Sequence, residues 1–163
     1  MQNFSYFDPN VFDEIIEHLF VGGAEAAKND YGFSMVVNCT RNTDITFPAE
    51  CKNCIRIEID DSPKDHDKLF RYIEESRVLD EIHSVLQKGE KVLVHCFTGA
   101  QRSCAVVACY LLRYHAMTVK GVIEYIKNKR SIAFFGDVHF IEAMEECFSK
   151  YRNVVWKTVT LAP

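Results

Sequence analysis

The residues with the clearest chemical potential lie in the segment KVLVHCFTGAQRSCAVV, residues 91–107. An apolar run ends at His95, Cys96 follows, and Arg102 comes six residues after the cysteine with no charged residue between them. Neutral residues in such a loop allow successive backbone N–H groups to point into one concavity, and the helix that follows adds the positive end of its dipole. The segment therefore predicts a site for a tetrahedral oxyanion, bound by Phe97, Thr98, Gly99, Ala100, Gln101 and Arg102.

A thiol at the bottom of this site would be acidic. A free cysteine has a pKa of about 8.5, which falls to between about 3.5 and 7.5 near helix N-termini and cations. Cys96 would then be a thiolate that attacks the phosphorus of a bound phosphate monoester, while Arg102 grips two phosphate oxygens. Ser103 can donate a hydrogen bond to the sulfur and help it leave. His95 is expected to order the loop rather than act as a base.

The leaving alcohol also needs a proton, which calls for a carboxylic acid on a neighbouring loop. The segment IEIDDSPKD supplies one after an alternating strand pattern, Ile55, Ile57 and Ile59. If these isoleucines face the core, the strand ends at Asp60 and the loop opens with Asp61. We therefore expect Asp61 to be the general acid, with Asp60 as the second choice, and the same carboxylate could afterwards activate water.

The pattern along the chain predicts an α/β domain whose mostly parallel sheet is flanked by helices. Apolar strands are expected at HLFVGG, FSMVVNCT, CIRIEID and KVLV, and a short helix at AEAAKND. One long helix is expected over residues 65–89, a buried helix over 103–114, and two more helices that begin at caps Thr118 and Asp137. The end of the chain, NVVWKTVTLAP, has strand character.

The composition favours a single globular domain. The chain has 163 residues, of which 48% are hydrophobic and 26% charged, and the net charge is −4. An acidic chain is not expected to bind nucleic acid, and no stretch approaches the length of a membrane span. Seven cysteines and no recognisable signal peptide predict a reducing compartment, the cytoplasm with the nucleus as an additional site. CKNC at residues 51–54 has no second ligand pair, so no metal is expected.

The segment VLVHCFTGAQRS resembles the H-C-x₅-R-[ST] signature of cysteine-dependent protein phosphatases. The segments HLFVGGAEAAKN, MVVNCT, IRIEIDDS and YIKNKRS are similar to the small dual-specificity branch, over roughly residues 12–150. The resemblance implies a central sheet of about five strands, as in protein tyrosine phosphatases. It also implies that Cys96 is the nucleophile, Arg102 the phosphate clamp, Ser103 the assisting hydroxyl and Asp61 the general acid. We expect one catalytic domain over residues 1–150 and a tail over 151–163.

Several residues leave alternatives open. Gln101 stands where the branch commonly has a small residue, and it could reshape the pocket or position water. Lys129 and Arg130 could contact a second phosphate or form a solvated helix end. Phe134 and Phe135 could line the cleft. In some relatives of this fold a cysteine in the strand of Cys39 forms a disulfide with the catalytic one, but a packing role is the simpler reading. Trp156 in the tail could pair with another chain or cover the domain.

We therefore expect a protein phosphatase that hydrolyses phosphotyrosine and phosphoserine or phosphothreonine through a phosphocysteine, with no cofactor and a phosphoprotein as partner. The sequence leaves a homodimer open. One alternative is a phosphatase of a non-protein substrate, such as an RNA 5′-phosphate or a phosphoinositide, although residues 97–101 include no basic side chain. Others are a non-catalytic phosphopeptide-binding module and a thiol enzyme that reduces arsenate or forms a persulfide.

Overall fold

A computed structural model describes the backbone of residues 12–161 and the side chains of residues 12–152. The strands are β1 (Phe12–Ile16), β2 (Leu19–Gly22), β3 (Phe33–Asn38), β4 (Asn53–Arg56) and β5 (Lys91–His95). The helices are α1 (His66–Ser76), α2 (Val78–Gln87), α3 (Arg102–Tyr114), α4 (Val119–Lys129) and α5 (Ile141–Leu161). Short 3₁₀ turns occupy Ala24–Ala27 and Pro63–Asp65.

The five strands form one sheet in the order β1-β2-β5-β3-β4. β1 pairs antiparallel with β2, and all other pairs are parallel. This confirms the predicted α/β class with a mostly parallel central sheet and helices around it. Because β5 is the middle strand, the residue that follows it emerges at the carboxyl edge of the sheet with neighbouring strands on both sides.

The edge strand β1 was not predicted. Its sequence, FDEII, has two acidic residues and only one buried side chain, Ile15. Such a strand has little of the apolar pattern that identifies buried strands, because one edge lacks a neighbour. Its pairing with β2 places Asp13 opposite Val21.

The predicted strand over residues 54–60 is shorter in the structure. Ladder pairing with β3 ends at Arg56, although the Ile57 N–H still donates to the Asn38 carbonyl at 2.8 Å. Ile57 and Ile59 are fully buried, as the alternation predicted. The burial pattern therefore continues past the last ladder pair and carries the chain into the loop that holds Asp61.

The single long helix predicted over residues 65–89 is wrong, because the structure divides it into α1 and α2. Arg77 separates them in a left-handed conformation with φ of 55°. The apolar spacing contained a signal for this break: Ile73 and Leu79 are six residues apart, a separation that does not place both on one helical face. The turn lets both helices bury their own apolar faces, Leu69 with Ile73 and Leu79 with Ile82.

The predictions for the remaining helices had mixed outcomes. Thr118 caps α4, since its Oγ1 accepts from the Gly121 N–H at 3.0 Å. Helix α3 is buried from Ser103 to Leu112, as predicted for a central helix. Asp137 is not the cap of the last helix, because α5 begins four residues later, at Ile141.

The prediction of strand character in the tail is also wrong, since α5 continues to Leu161. Trp156 lies in this helix, and its side chain is outside the described part of the chain. Residues 150 and 151, the predicted end of the domain and start of the tail, are both within α5. Among the described residues, no helix is both long enough and apolar enough to cross a membrane.

Candidate active site

Cys96 occupies the first position after the central strand and is almost fully buried, with 2% of its surface exposed. Its Sγ accepts a hydrogen bond from the Gly99 N–H at 3.3 Å, and Ser103 Oγ lies 3.3 Å from the same sulfur. The backbone of the loop and the first turn of α3 therefore both contact the thiol. These contacts give Cys96 and Ser103 the neighbourhood that the sequence predicted.

The pKa of Cys96 is lowered from the ordinary thiol value. Burial acts to raise it, but the charge of Arg102 and the hydrogen bonds from Ser103 and Gly99 outweigh the burial. A positive charge and hydrogen-bond donors stabilise the thiolate over the thiol. The loop thus favours the nucleophilic form of Cys96.

Gly99 has φ of +76°, a backbone conformation that residues with a side chain rarely adopt. A Cβ at this position would lie 2.6 Å from the Gly22 carbonyl oxygen and 2.7 Å from Arg130 Nη2. Gly99 is therefore required twice, for the turn of the loop and for the close approach of the neighbouring strand end. The Ala24 N–H, just beyond that strand, also donates to the Phe97 carbonyl at 2.9 Å.

Arg102 begins α3, directly before Ser103. Its Nη1 donates to the carbonyl of Ile59 at 3.2 Å, which ties the loop of Asp61 to the loop of Cys96. Its buried Nε has no hydrogen-bond partner in the structure. A buried donor without a partner is costly, and an oxyanion in the loop would satisfy it.

Arg130 supports the loop from behind, a role that the sequence analysis missed. The side chain is 1% exposed, and it donates from Nε to the Gly99 carbonyl at 2.8 Å and from Nη2 to the Thr98 carbonyl at 2.9 Å. Its Nη1 pairs with Asp13 at 2.9 Å. Arg130 thus binds the carbonyls of Thr98 and Gly99, while the Gly99 N–H points to Cys96 Sγ.

Arg130 is therefore neither of the alternatives considered from the sequence, since it is not a solvated helix end and its guanidinium is committed to the loop. A basic residue at the end of α4 has the same sequence signature in either environment. The partner that distinguishes it, Asp13, lies on the edge strand that the sequence did not reveal. Lys129, the neighbouring residue, is exposed.

Gln101 is 4% exposed and uses both ends of its side-chain amide. Nε2 donates to the carbonyls of Phe135 and Asp137 at 3.1 and 2.9 Å, and Oε1 accepts from the His139 N–H at 3.1 Å. Gln101 thus holds the segment 135–139 against residues 96–102, the loop of the proposed nucleophile Cys96, which we call the nucleophile loop. The length of the amide, the open question in the sequence, is what allows it to reach that segment.

Asp61 and Asp60 have different partners. Asp61 Oδ1 lies 2.7 Å from His139 Nδ1, and the Asp61 side chain is 40% exposed. Asp60 pairs with Arg41 at 3.1 Å, and its N–H donates to Asp65. Asp61 therefore contacts the segment that Gln101 holds, whereas the carboxylate of Asp60 is engaged by Arg41.

His95 is fully buried, and its Nδ1 lies 3.2 Å from the Cys96 carbonyl. Burial, together with the charges of Arg56 and Arg102, lowers its pKa to about 4 despite the hydrogen bond to Cys96. His95 is therefore neutral at physiological pH and contacts the backbone rather than the thiol.

The other cysteines near the site are thiols. Cys39 is buried, and its N–H donates to the His95 carbonyl at 2.8 Å. Burial raises its pKa well above the ordinary value, and the charge of Cys96 adds to the effect. Cys104 donates to the Gly99 carbonyl at 3.4 Å. Cys39 belongs to the hydrophobic core, in line with the packing role favoured from the sequence, and its disulfide with Cys96 stays the untested alternative.

The two phenylalanines expected at the cleft differ. Phe134 is 1% exposed, has φ of 57° and belongs to the hydrophobic core, so it does not line a cleft. Phe135 is 69% exposed, and Phe97 in the nucleophile loop is 56% exposed. Two apolar rings therefore face solvent from segments that form or contact the nucleophile loop.

Within the described residues, one group could bring three metal-ligating atoms together. The ligand atoms of His66, Asp67 and Glu146 lie within 4.8 Å of one another. These residues belong to α1 and α5, none of them is in the loop of Cys96, and the Asp67 side chain is 72% exposed. The two CKNC thiols are at the surface, Cys54 exposed and Cys51 partly exposed, and neither belongs to this group.

The fold and the loop define a class: an anion-binding turn after the central strand of an α/β sheet, with an acidified thiol at its base. A protein-family model described as "Dual specificity phosphatase, catalytic domain" matches residues 19–150. The chain therefore belongs to the dual specificity phosphatase family, and it is a cysteine-dependent phosphatase. The resemblance found in the sequence is confirmed.

Relatives and a solved structure agree with this assignment. Protein 123R of Invertebrate iridescent virus 6, which carries a tyrosine phosphatase name, is 32% identical over 143 residues, 86% of this chain and 93% of that protein. Human "Dual specificity protein phosphatase 26" is 31% identical over 133 residues, 76% of this chain but only 61% of that protein. The crystal structure of human DUSP28 has a TM-score of 0.70 over 89% of this chain and 95% of its own, at 22% identity, which shows the shared fold.

Proposed function

We propose that this chain is a protein phosphatase that hydrolyses phosphotyrosine and phosphoserine or phosphothreonine through a phosphocysteine intermediate. The observation that carries the proposal is the pairing, in one loop, of an acidified Cys96 with a buried Arg102 Nε that lacks a partner. A phosphate bound there would meet the unpaired donor and place its phosphorus against the thiolate.

In the first step the Cys96 sulfur forms a bond to phosphorus while the bond from phosphorus to the leaving oxygen breaks. Asp61 supplies the proton that this oxygen takes up. In the second step Asp61 removes a proton from water, whose oxygen bonds to phosphorus as the sulfur–phosphorus bond breaks. Ser103 stabilises the departing thiolate by its contact with Sγ.

The phosphate loop supports this role through its backbone. Arg130 holds the carbonyls of Thr98 and Gly99, so the loop conformation exists before any substrate arrives. Preorganised N–H donors stabilise the charge of a transferring phosphoryl group without rearranging during the reaction. No metal is needed to supply positive charge in this proposal, because Arg102 and the N–H groups do so.

The exposed rings support an aryl phosphate as one substrate class. Phe97 and Phe135 present apolar surface beside a loop that binds through polar backbone groups. An aromatic ring attached to the phosphate could bury against such surface, which is favourable for both partners. The Asp61 side chain is 40% exposed, so its carboxyl group is accessible to the leaving oxygen of an alkyl phosphate as well as an aryl phosphate.

The test compares the wild-type chain with Cys96→Ser on four substrates: a phosphotyrosine peptide, a phosphothreonine peptide, a phosphoinositide and an RNA 5′-phosphate. We expect turnover of both peptides by the wild type and none above background by the variant, because an alcohol at this site lacks the nucleophilicity of a thiolate. Acid quenching during turnover should trap phosphate on the protein.

Three outcomes would contradict the proposal. Equal rates for the wild type and Cys96→Ser would exclude catalysis by Cys96 and favour a non-catalytic phosphopeptide-binding module. Preferential turnover of the phosphoinositide or the RNA 5′-phosphate would reassign the substrate. A requirement for one external thiol in each turnover would indicate a thiol reductase.

A further inference from the structure

A hydrogen bond joins the candidate general acid to a histidine 78 positions later in the chain. Asp61 Oδ1 and His139 Nδ1 are 2.7 Å apart, at the rim of the site, where the His139 side chain is 29% exposed. We propose that His139 is a positioning residue that holds the Asp61 carboxyl group for proton transfer, and that Gln101 fixes His139 for this task. The inference rests on the proposed function.

The main chain of His139 is held by the nucleophile loop. Gln101 Oε1 accepts from the His139 N–H at 3.1 Å, and the other end of the same amide donates to the carbonyls of Phe135 and Asp137. Three hydrogen bonds from one buried side chain leave the segment 135–139 little freedom. A serine at position 101, one of the small residues common there in the branch that the sequence resembles, is too short to span these distances.

The loop of Asp61 is held from a second side. Arg102 Nη1 donates to the Ile59 carbonyl at 3.2 Å, two residues before Asp61. The contacts therefore close a ring from Gln101 to His139, to Asp61, along the chain to Ile59, and back to Arg102 beside Gln101. Both anchors of the acid loop thus originate from adjacent residues of the phosphate-binding loop.

The proposed role requires one hydrogen-bond donor on the imidazole. An Nδ1–H that donates to Asp61 Oδ1 leaves Oδ2 to carry the proton and give it to the leaving oxygen. After the transfer the same hydrogen bond stabilises the carboxylate, which then accepts a proton from the attacking water. The imidazole keeps its own proton throughout, so His139 acts through Asp61.

Through this ring of contacts, the nucleophile loop fixes the position of the Asp61 carboxyl group. A carboxyl group on a solvent-exposed loop samples many positions, and proton transfer requires it within hydrogen-bond distance of one oxygen. Holding it in place contributes to the rate only where the leaving group needs a proton. Loss of His139 should therefore be selective among substrates.

The experiment measures kcat/KM for two aryl phosphates on the full chain. 4-Nitrophenyl phosphate has a good leaving group, and phenyl phosphate has a poor one that depends on the acid. We expect His139→Ala to lower kcat/KM for phenyl phosphate by about 10- to 100-fold, less than the roughly 100- to 10,000-fold of a complete general acid because the carboxyl group itself remains, and for 4-nitrophenyl phosphate by only about 2- to 3-fold. His139→Asn, whose side-chain N–H can replace Nδ1–H, should recover most of the loss.

Two further variants complete the design. Adding His139→Ala to Asp61→Asn should cost nothing further for phenyl phosphate, since the residue acts through the carboxyl group. His18→Asn is the matched control, because His18 is also a histidine beside a carboxylate: its Nε2 lies 3.5 Å from Glu17 Oε1. His18 comes just before β2, at the opposite end of the sheet from Cys96. It should leave both rates unchanged.

Three results would overturn the proposal. An equal loss for both substrates would mean that His139 supports the fold in general. A further loss in the Asp61→Asn background would mean that it acts independently of Asp61, and failure of His139→Asn to recover activity would remove the hydrogen bond as the cause. Failure of the proposed function itself is distinct, because the wild type would then turn over neither substrate above Cys96→Ser.

Discussion

At the residue scale, the thiol and its donors decide the chemistry. The charge of Arg102 and the contacts from Ser103 and Gly99 lower the pKa of Cys96 despite burial. The thiolate should therefore predominate at a lower pH than for an ordinary cysteine, because a depressed pKa extends the deprotonated form towards acid.

The rate of Cys96 alkylation by iodoacetamide as a function of pH measures this directly. The midpoint should fall below about 8.5, the value of a free thiol. Ser103→Ala should raise the midpoint by about one to two units, since a hydrogen bond to a charged group contributes roughly 1.5–3 kcal/mol. A wild-type midpoint at or above about 8.5 would contradict the lowered pKa of Cys96.

Gly99 gives a second prediction at this scale, with a matched control in the same chain. Gly99→Ala should destabilise the fold by more than about 2 kcal/mol and abolish turnover, because the new Cβ meets the Gly22 carbonyl and Arg130 at a positive φ. Gly89 has nearly the same φ, +75°, and a Cβ added there would meet no atom within 4 Å. Gly89→Ala should therefore destabilise the fold by only about 1 kcal/mol.

The free energies of unfolding come from denaturant titration of both variants. The difference between them isolates the steric requirement of the nucleophile loop from the conformational preference of glycine. Equal costs would show that the close approach of Gly22 and Arg130 is relaxed without penalty.

At the element scale, helix α4 and strand β1 meet the nucleophile loop through one side chain. Arg130 at the end of α4 donates to two loop carbonyls and to Asp13 of β1. Arg130→Met should cost about 2–4 kcal/mol of stability and lower kcat, since the loop carbonyls lose charged donors. Arg130→Lys should recover little, because an ammonium cannot reach three acceptors in a fork.

Lys129→Met is the control for this prediction. It removes one positive charge from the same helix end, but Lys129 is exposed. We expect a change in stability within about 0.5 kcal/mol and unchanged kcat. Similar effects for the two variants would indicate that charge at the end of α4, rather than the contacts of Arg130, is what matters.

The boundaries of the helices depend on both local sequence and tertiary contacts. The pair α1 and α2 reads as one helix until the six-residue interval between Ile73 and Leu79 is noticed. The start of α5 at Ile141, four residues after the predicted cap Asp137, has a tertiary contribution, because Gln101 binds the carbonyls of Phe135 and Asp137 in the preceding segment. Local patterns therefore located the helices but not all of their boundaries.

At the scale of the whole molecule, burial of a histidine connects the active site to acid stability. His95 is fully buried, and its pKa is lowered to about 4, whereas it is about 6.5 when unfolded. Between these values the unfolded chain binds a proton that the folded chain does not. Stability contributed by His95 is therefore present above about pH 6.5 and lost as the pH falls to about 4.

The free energy of unfolding, measured by denaturant titration at pH 7, 5.5 and 4, checks this prediction. The His95 contribution corresponds to a loss of about 3 kcal/mol across that window. His95→Gln should remove most of this dependence, whereas His18→Asn should leave it in place. A wild-type slope that survives His95→Gln would assign the acid sensitivity to other groups.

The sequence by itself determined the nucleophile loop and most of the sheet. Cys96, Gly99, Arg102 and Ser103 lie within eight consecutive residues, so their contacts follow from local geometry: a strand, a tight turn and a helix start. The parallel strands were likewise recognisable: burial on both faces leaves short apolar runs in β2, β3 and β5, and the edge strand β4 lies in a segment of alternating apolar residues.

Only the tertiary structure decided what stabilises that loop. Arg130 reaches Thr98 from 32 positions away, Gln101 reaches His139 from 38, and Asp61 meets His139 from 78. Polar side chains have no periodic signature, and their partners depend on how separate elements pack at one edge of the sheet. The sequence could therefore identify Cys96 as the proposed nucleophile, while packing determined which residues hold the loop 96–102, the proposed acid Asp61 and the segment 135–139 together.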